Sequence, residues 1–167
     1  NLLATVDLGS NSFRLLIGKI NSDGTIVPLD QIKETVRLAS GLDAKNNLTK
    51  ESQLFALEVL TRFSERLSNF KKSQVRVVGT STLRVANNSA EFITIANKAL
   101  GFPIEVISGK EEARLIYIGA MHSLAYTTEK RLVIDIGGGS TEFIIGEGYE
   151  PQIMESVTMG CVSYTGR

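Results

Sequence analysis

The sequence has one cysteine, one histidine and no tryptophan in 167 residues. A single cysteine, Cys161, excludes an internal disulfide, and no basic segment followed by an apolar one opens the chain. A reducing cytoplasm is therefore the expected compartment. Net charge is also missing, with 18 Lys plus Arg against 18 Asp plus Glu. A protein that grips a polyanion through its overall field is strongly basic, and here no basic run is longer than the pair Lys71-Lys72. DNA is not an expected partner, and any phosphate chemistry must rest on local donors. Apolar runs are only a few residues long, far short of the roughly 20 that a membrane-spanning helix needs, so no membrane insertion is expected. What is present is ordinary: 43% hydrophobic and 22% charged residues exclude disorder, collagen-like repeats and coiled coil. The length suggests about one domain with a sizeable core. The start at Asn1 rather than Met is expected of a piece trimmed from a longer chain.

Periodicity predicts strands at 2–7, 13–20 and 25–38, with Asn21-Ser-Asp-Gly24 as a hairpin turn. Thr49 looks like the N-cap of a long helix whose apolar stripe is Ala56, Leu60, Phe63, Leu67 and Phe70. A short strand at 75–78 and a polar turn, Gly79-Thr-Ser-Thr82, follow. Asn88 with Glu91 reads as a capping box for a helix that stops at Gly101, before Pro103. Another strand at 104–107 runs into Ser108-Gly-Lys-Glu111, a second capping box, and a helix to about 123. Strands alternating with helices predict an α/β layer with a mixed sheet. Strands are expected again at 131–135, 141–146 and 152–158.

That last group begins a repeat. Val6-Asp-Leu-Gly-Ser-Asn-Ser-Phe-Arg-Leu-Leu-Ile-Gly18 overlays Ile134-Asp-Ile-Gly-Gly-Gly-Ser-Thr-Glu-Phe-Ile-Ile-Gly146 without a gap, 128 positions apart. Asp7 meets Asp135, Gly9 meets Gly137, Ser12 meets Ser140, and Gly18 meets Gly146. Repetition on this scale dictates architecture, here two copies of one strand-turn-strand unit. In each, an apolar strand ends in Asp and a tight turn rich in Gly, Ser or Asn leads into a second strand. Gly9, Ser10, Asn11 and Ser12 in one copy, and Gly137, Gly138, Gly139 and Ser140 in the other, have the composition of a phosphate cradle. Glycine lets the backbone approach a ligand and turn its N–H groups toward it, and a Ser hydroxyl adds a donor. The Asp at each strand end, Asp7 and Asp135, can hold a divalent cation as phosphate-bound Mg²⁺ prefers. A lone Asp-x-Gly hairpin is usually only a turn, but a turn has no need to duplicate its flanking polar residues.

The two hairpins resemble the phosphate loops of the actin, hexokinase and Hsp70-type superfamily, built from two ribonuclease H-like domains. More narrowly, five motifs taken in order resemble the exopolyphosphatase and guanosine pentaphosphate phosphohydrolase (Ppx/GppA) family. They are Val6-Asp-Leu-Gly-Ser-Asn-Ser-Phe13, Gly79-Thr-Ser-Thr-Leu-Arg84, Ile107-Ser-Gly-Lys-Glu-Glu-Ala-Arg-Leu115, Ile134-Asp-Ile-Gly-Gly-Gly-Ser-Thr-Glu142 and Met159-Gly-Cys-Val162. The resemblance implies an α/β, actin-like domain at 1–124, with a mixed five-stranded sheet flanked by helices, and the incomplete start of a second copy at 125–167. It implies hydrolysis of the terminal phosphate of inorganic polyphosphate with Mg²⁺, or alternatively of guanosine-5'-triphosphate,3'-diphosphate (pppGpp). A homodimer is the expected assembly of the full-length protein. A sugar or acetate kinase of the same superfamily, or a non-catalytic phosphate-ligand sensor, are the rival readings.

Within the third motif, Glu111 at the third helical position is expected to fold back on the Ser108 N–H. Glu112 is rotated by about 100° from it and free for another task. The resemblance makes Glu112 the general base, the carboxylate that orients and deprotonates the attacking water. It likewise makes Arg84 a phosphate ligand, a role that suits a guanidinium, although a helix-start arginine at the surface is an equally common sight. Arg114 is expected to pair with a carboxylate of its own helix. Glu142 stands where the first copy has Arg14, and with Asp135 it is the candidate Mg²⁺ ligand; a solvent-facing strand Glu is the commoner case. His122 lacks partners at ligand spacing, and Cys161 is expected to be a small buried hydrophobe.

Overall fold

The structure, a computed structural model, describes residues 2–165. It divides into two compact units, Asn1–Val106 and Ile107–Arg167. Among the described residues no helix is long and apolar enough to cross a membrane.

In the first unit, alternation makes the strands. β1 (Leu2–Leu8) buries Ala4, Val6 and Leu8 on one face and pairs antiparallel with β2 (Ser12–Ile20), which buries Phe13 and Leu15 on that face. β3 (Ile26–Thr35) pairs antiparallel with β2. It ends sooner than the pattern predicts because Arg37 adopts a left-handed φ of 53° and Leu38–Gly41 form a 3-10 turn that buries Leu38. Helix α1 (Lys50–Arg66) is capped by Thr49, whose hydroxyl accepts from the Ser52 N–H at 3.3 Å, and it buries Ala56, Val59, Leu60 and Phe63. The expected stripe overshoots the helix, and Phe70 reaches the same core from the turn beyond it. β4 (Val75–Gly79) lies parallel to β1. The segment read as a polar turn is a short helix, α2 (Ser81–Val85). Helix α3 (Ser89–Leu100) begins at Asn88 without a side-chain cap, because the Asn88 amide bonds both the N–H and the C=O of Leu48. It ends where expected, at Gly101, whose φ of 84° suits only glycine comfortably. β5 (Ile104–Val106) completes a sheet in the order β3-β2-β1-β4-β5. This is the expected mixed five-stranded sheet, with α1 and α3 packed on its apolar face.

The second unit contains α4 (Gly109–His122), the antiparallel sheet of β6 (Lys130–Ile136), β7 (Thr141–Glu147) and β8 (Glu150–Val157), and the short helix α5 (Cys161–Thr165). Ala113, Tyr117 and Met121 of α4 pack on Ile144 of β7. The compact units thus divide elsewhere than the 124/125 boundary drawn from the repeat, which counts strand-turn-strand copies rather than packing.

The repeat extends further than the sequence overlay. Both second strands shift register at their glycine, between Ile17 and Gly18 and between Ile145 and Gly146. Opposite each glycine stands a proline, Pro28 and Pro151. Proline cannot donate to the ladder and is tolerated at such a bulge. The path from glycine to proline is ten residues in the first copy and five in the second, so the third strands match only after a five-residue gap in the hairpin.

Gly146 has a second duty, because the Tyr117 ring lies over it. A Cβ there would fall 2.5 Å from both the Tyr117 hydroxyl and the backbone O of Glu150. Neither can retreat cheaply, since Tyr117 is fully buried and donates to Gly148 O at 3.2 Å. Gly146→Ala is accordingly expected to cost about 1–3 kcal/mol of stability, read as a lower urea midpoint at unchanged slope.

Candidate functional site

The two tight turns have one geometry. The Gly9 N–H donates to Ser12 O at 3.2 Å and the Gly137 N–H to Ser140 O at 2.9 Å. A Cβ at Gly9 or Gly137 would sit 2.8 Å or 3.1 Å from the same carbonyl oxygens, so the turn needs glycine at both places. The carbonyls of each loop are tied down from behind by the chain that leaves the third strand. In the first loop, Asn11 O accepts from the N–H groups of Val36 (3.0 Å) and Arg37 (2.8 Å), and Ser10 O from that of Ala39 (2.9 Å). In the second, Gly137 O accepts from Cys161 N–H (2.9 Å), and Gly138 O from those of Val162 (3.0 Å) and Ser163 (3.2 Å). The N–H groups of Ser10, Asn11, Gly138 and Gly139 meet no acceptor among the described residues. A loop with two carbonyls held from outside and two successive N–H groups open presents positive potential to an anion.

In the first unit the loop is joined to the short helix that carries Arg84. The Ser10 hydroxyl oxygen, buried, accepts from Thr82 Oγ1 at 2.7 Å and from Thr82 N–H at 3.3 Å. Thr80 N–H reaches Leu8 O at 3.4 Å, and Arg84, half-buried, stands in the last turn of α2. Asp7 is half-buried and lies opposite Arg14 across the β1/β2 pair.

At the matched place in the second unit, Asp135 lies opposite Glu142. Two carboxylates directly across an antiparallel pair repel each other, which is unfavourable unless a cation sits with them. Asp135 is exposed, whereas Glu142 is only 1% exposed, against the commoner expectation for a strand glutamate. Ser156 Oγ donates to Glu142 Oε1 at 2.8 Å, and the buried Oε2 has no partner among the described residues. A buried carboxylate oxygen without a partner among the described residues, on a residue directly across the strand pair from a second carboxylate, fits a hard divalent cation. Among the described residues no group of three or more acidic, His or Cys side chains can hold a metal by itself. Such an ion would take its remaining ligands from water and phosphoryl oxygens, as Mg²⁺ commonly does.

Helix α4 brings Glu112 to this end of the unit. Tyr117 lies over Gly146; from there α4 runs back five residues, about 7 Å, to Glu112, and β7 runs back four, about 13 Å, to Glu142. The first turn of α4 therefore lies toward the loop end of the sheet. Ser108 caps it, its hydroxyl accepting from the Glu111 N–H at 3.2 Å. Where the sequence suggests that Glu111 folds back on Ser108, both of its oxygens instead accept from Arg114, at 2.7 and 2.8 Å. That pairing raises the Arg114 pKa and is the same-helix partner expected for Arg114. Glu112 is half-buried on a different azimuth.

His122 is exposed and stacks on Tyr149, with ring centroids 4.4 Å apart, at the opposite end of the unit. Cys161 is exposed rather than buried, because it opens α5 with its N–H, not its side chain, turned to the loop. Sequence reasoning missed Ser156, Thr82 and the two segments that tie the loops. Gly79-Thr-Ser-Thr-Leu-Arg84, which contains Thr82, and Met159-Gly-Cys-Val162 carried a signal as motifs, but no role was attached to Thr82 or to the tying segment.

Comparison with known proteins places these features. Residues 16–167 match the profile of the Ppx/GppA phosphatase family. A guanosine-5'-triphosphate,3'-diphosphate pyrophosphatase of Vibrio cholerae is 48% identical over 166 residues, 99% of this chain and 33% of its own. An exopolyphosphatase from Cytophaga hutchinsonii superposes with a TM-score of 0.92 at 32% identity, covering 99% of this chain and 53% of that one. The Aquifex aeolicus PPX-GPPA enzyme gives 0.85 at 30% identity, covering 99% and 55%. This chain thus spans about a third of the curated relative and about half of the solved structures. The architecture is actin-like. An ethanolamine utilization protein from Carboxydothermus hydrogenoformans, 12% identical with a TM-score of 0.51, shares the fold alone.

Proposed function

The chain belongs to the Ppx/GppA phosphatase family, and on that premise we propose that its protein hydrolyses the terminal phosphoanhydride of inorganic polyphosphate. The observation that carries this reading is the pair of loops whose carbonyls are tied from outside while the N–H groups of Ser10, Asn11, Gly138 and Gly139 meet no acceptor among the described residues. In the reading, Gly9–Ser12 in the first unit and Gly137–Ser140 in the second each bind phosphoryl oxygens through backbone N–H groups, and Ser12 and Ser140 add hydroxyl donors. Arg84, beside the first loop, offsets phosphate charge through a planar, permanently charged fork. Glu112 accepts the proton of the attacking water and holds it in line. Asp135 and Glu142 would hold Mg²⁺, which when bound neutralises charge building on the phosphoryl oxygens. Positioning and preorganised electrostatics supply most of the acceleration in such a transfer.

A second reading, pppGpp as the substrate, is favoured by the 48% identity to the Vibrio cholerae pyrophosphatase. Both substrates end in the same bond, so the loops serve either. Phosphate release by the full-length protein with Mg²⁺, measured on both substrates, decides between them. We expect release from at least one, and the larger kcat/KM names the substrate. No release from either, with ATP-dependent phosphorylation of a small alcohol, would replace the reading by a kinase.

A further inference from the structure

We propose that the turn at Met159–Ser163, which contains Gly160, is the positioning element of the second loop: it sets which way the peptide groups of Gly137–Ser140 face. This rests on the assignment of that loop to phosphoryl oxygens. A peptide unit can turn either its N–H or its C=O toward a ligand, and a run of three glycines does little by itself to fix the choice. Here the choice is made by three donors from outside the loop, the N–H groups of Cys161, Val162 and Ser163, which engage Gly137 O and Gly138 O. With those carbonyls held at the back, the following N–H groups of Gly138 and Gly139 are left free to face an anion.

Position 160 must be glycine for the turn to come this close. A Cβ there would lie 2.5 Å from Gly139 N and also strike the Gly138 carbonyl, both backbone atoms that no rotamer change can move. The turn is held in its own place from both ends. Ser163 Oγ accepts from the Gly160 N–H at 2.9 Å and donates to Gly160 O at 3.1 Å. Thr141, buried at the start of β7, donates its hydroxyl to Met159 O at 2.5 Å. In the first unit the segment 36–39 also ties the loop by its carbonyls, Ser10 O and Asn11 O, and one of these bonds, from Ala39 N–H to Ser10 O, has its counterpart at the matched place in that from Val162 N–H to Gly138 O.

The test uses the full-length protein with Gly160→Ala, and Thr141→Val as a gentler variant that keeps volume and removes one hydrogen bond. Gly148→Ala is the control, since Gly148 has a φ of 57° in the β7–β8 turn at the far end of the unit, where alanine is strained without touching the loop. Without ligand, amide exchange of Gly137, bonded to Ser140 O, and of Cys161, Val162 and Ser163, bonded to the loop, is expected to quicken by about 10-fold or more in Gly160→Ala, less in Thr141→Val, and not at all in Gly148→Ala. With substrate, Gly160→Ala should raise KM by about 10-fold with kcat within a few-fold, the split that marks lost binding rather than a lost chemical step. Unchanged exchange at Gly137 and at 161–163 in both variants overturns the proposal, as does an equal KM rise in Gly148→Ala. Faster exchange with unchanged KM upholds the brace and refutes the phosphoryl assignment of the loop.

Discussion

Glu112→Gln in the full-length protein is expected to lower kcat by about 10³-fold while substrate affinity stays within a few-fold of wild type. Glutamine keeps the shape and the helix, so Ser108 still caps α4 and Tyr117 still locks it over Gly146. What goes is the ability to take a proton. The neighbouring carboxylate cannot substitute, because Glu111 commits both oxygens to Arg114 and points along a different azimuth. Single-turnover phosphate release separates the chemical step from binding. A variant that turns over near the wild-type rate would remove Glu112 from the chemistry.

Glu142→Met is expected to act in opposite directions on stability and on activity. Wild type keeps a carboxylate 1% exposed, satisfied on one oxygen by Ser156 and without a partner among the described residues on the other, across from Asp135. With the cation chelated, replacing it by an apolar chain of similar size removes a buried unpaired group, and unfolding free energy should rise by about 1–3 kcal/mol. Mg²⁺-dependent phosphate release should fall by about 10²-fold or more, and Mg²⁺ should no longer add to the melting temperature as it does when an ion binds only the folded state. Urea titrations in chelator and in Mg²⁺ read both sides. A variant that is less stable in chelator and keeps its Mg²⁺ response would mean that Glu142 serves packing. Functional residues that cost stability are common, and such a trade is the physical mark of one.

Much of the site was legible in the sequence because its elements are local. Asp7, Gly9, Gly137 and Asp135 announce themselves through strand ends and a turn that only glycine can make, and a gapless repeat doubles the signal. Thr49, Ser108 and Gly101 marked helix ends because caps depend on neighbours a few residues away. What stayed hidden depends on partners distant in sequence. Asn88 has the residue type of a cap, but Leu48, 40 positions earlier, takes its amide. The α2 turn reads as a polar linker until Ser10, 72 positions away, is seen to bind Thr82. Burial of Glu142 follows from β8 and α4 covering its face, and no local pattern carries that. The third strands escaped the repeat for a simpler reason, the five-residue gap between Gly18–Pro28 and Gly146–Pro151.

That gap shows what the glycine–proline bulges accomplish. Register on the loop side of each bulge is shared by the two copies, while the hairpins beyond it differ in length and turn. The bulge works as an expansion joint: length added or removed at residues 21–25, or around 148–149, is taken up before it reaches the phosphate end. Each copy therefore has an insulated outer end, free to drift in evolution or to carry a grafted epitope, and a fixed end where a shift of one residue would turn every donor away.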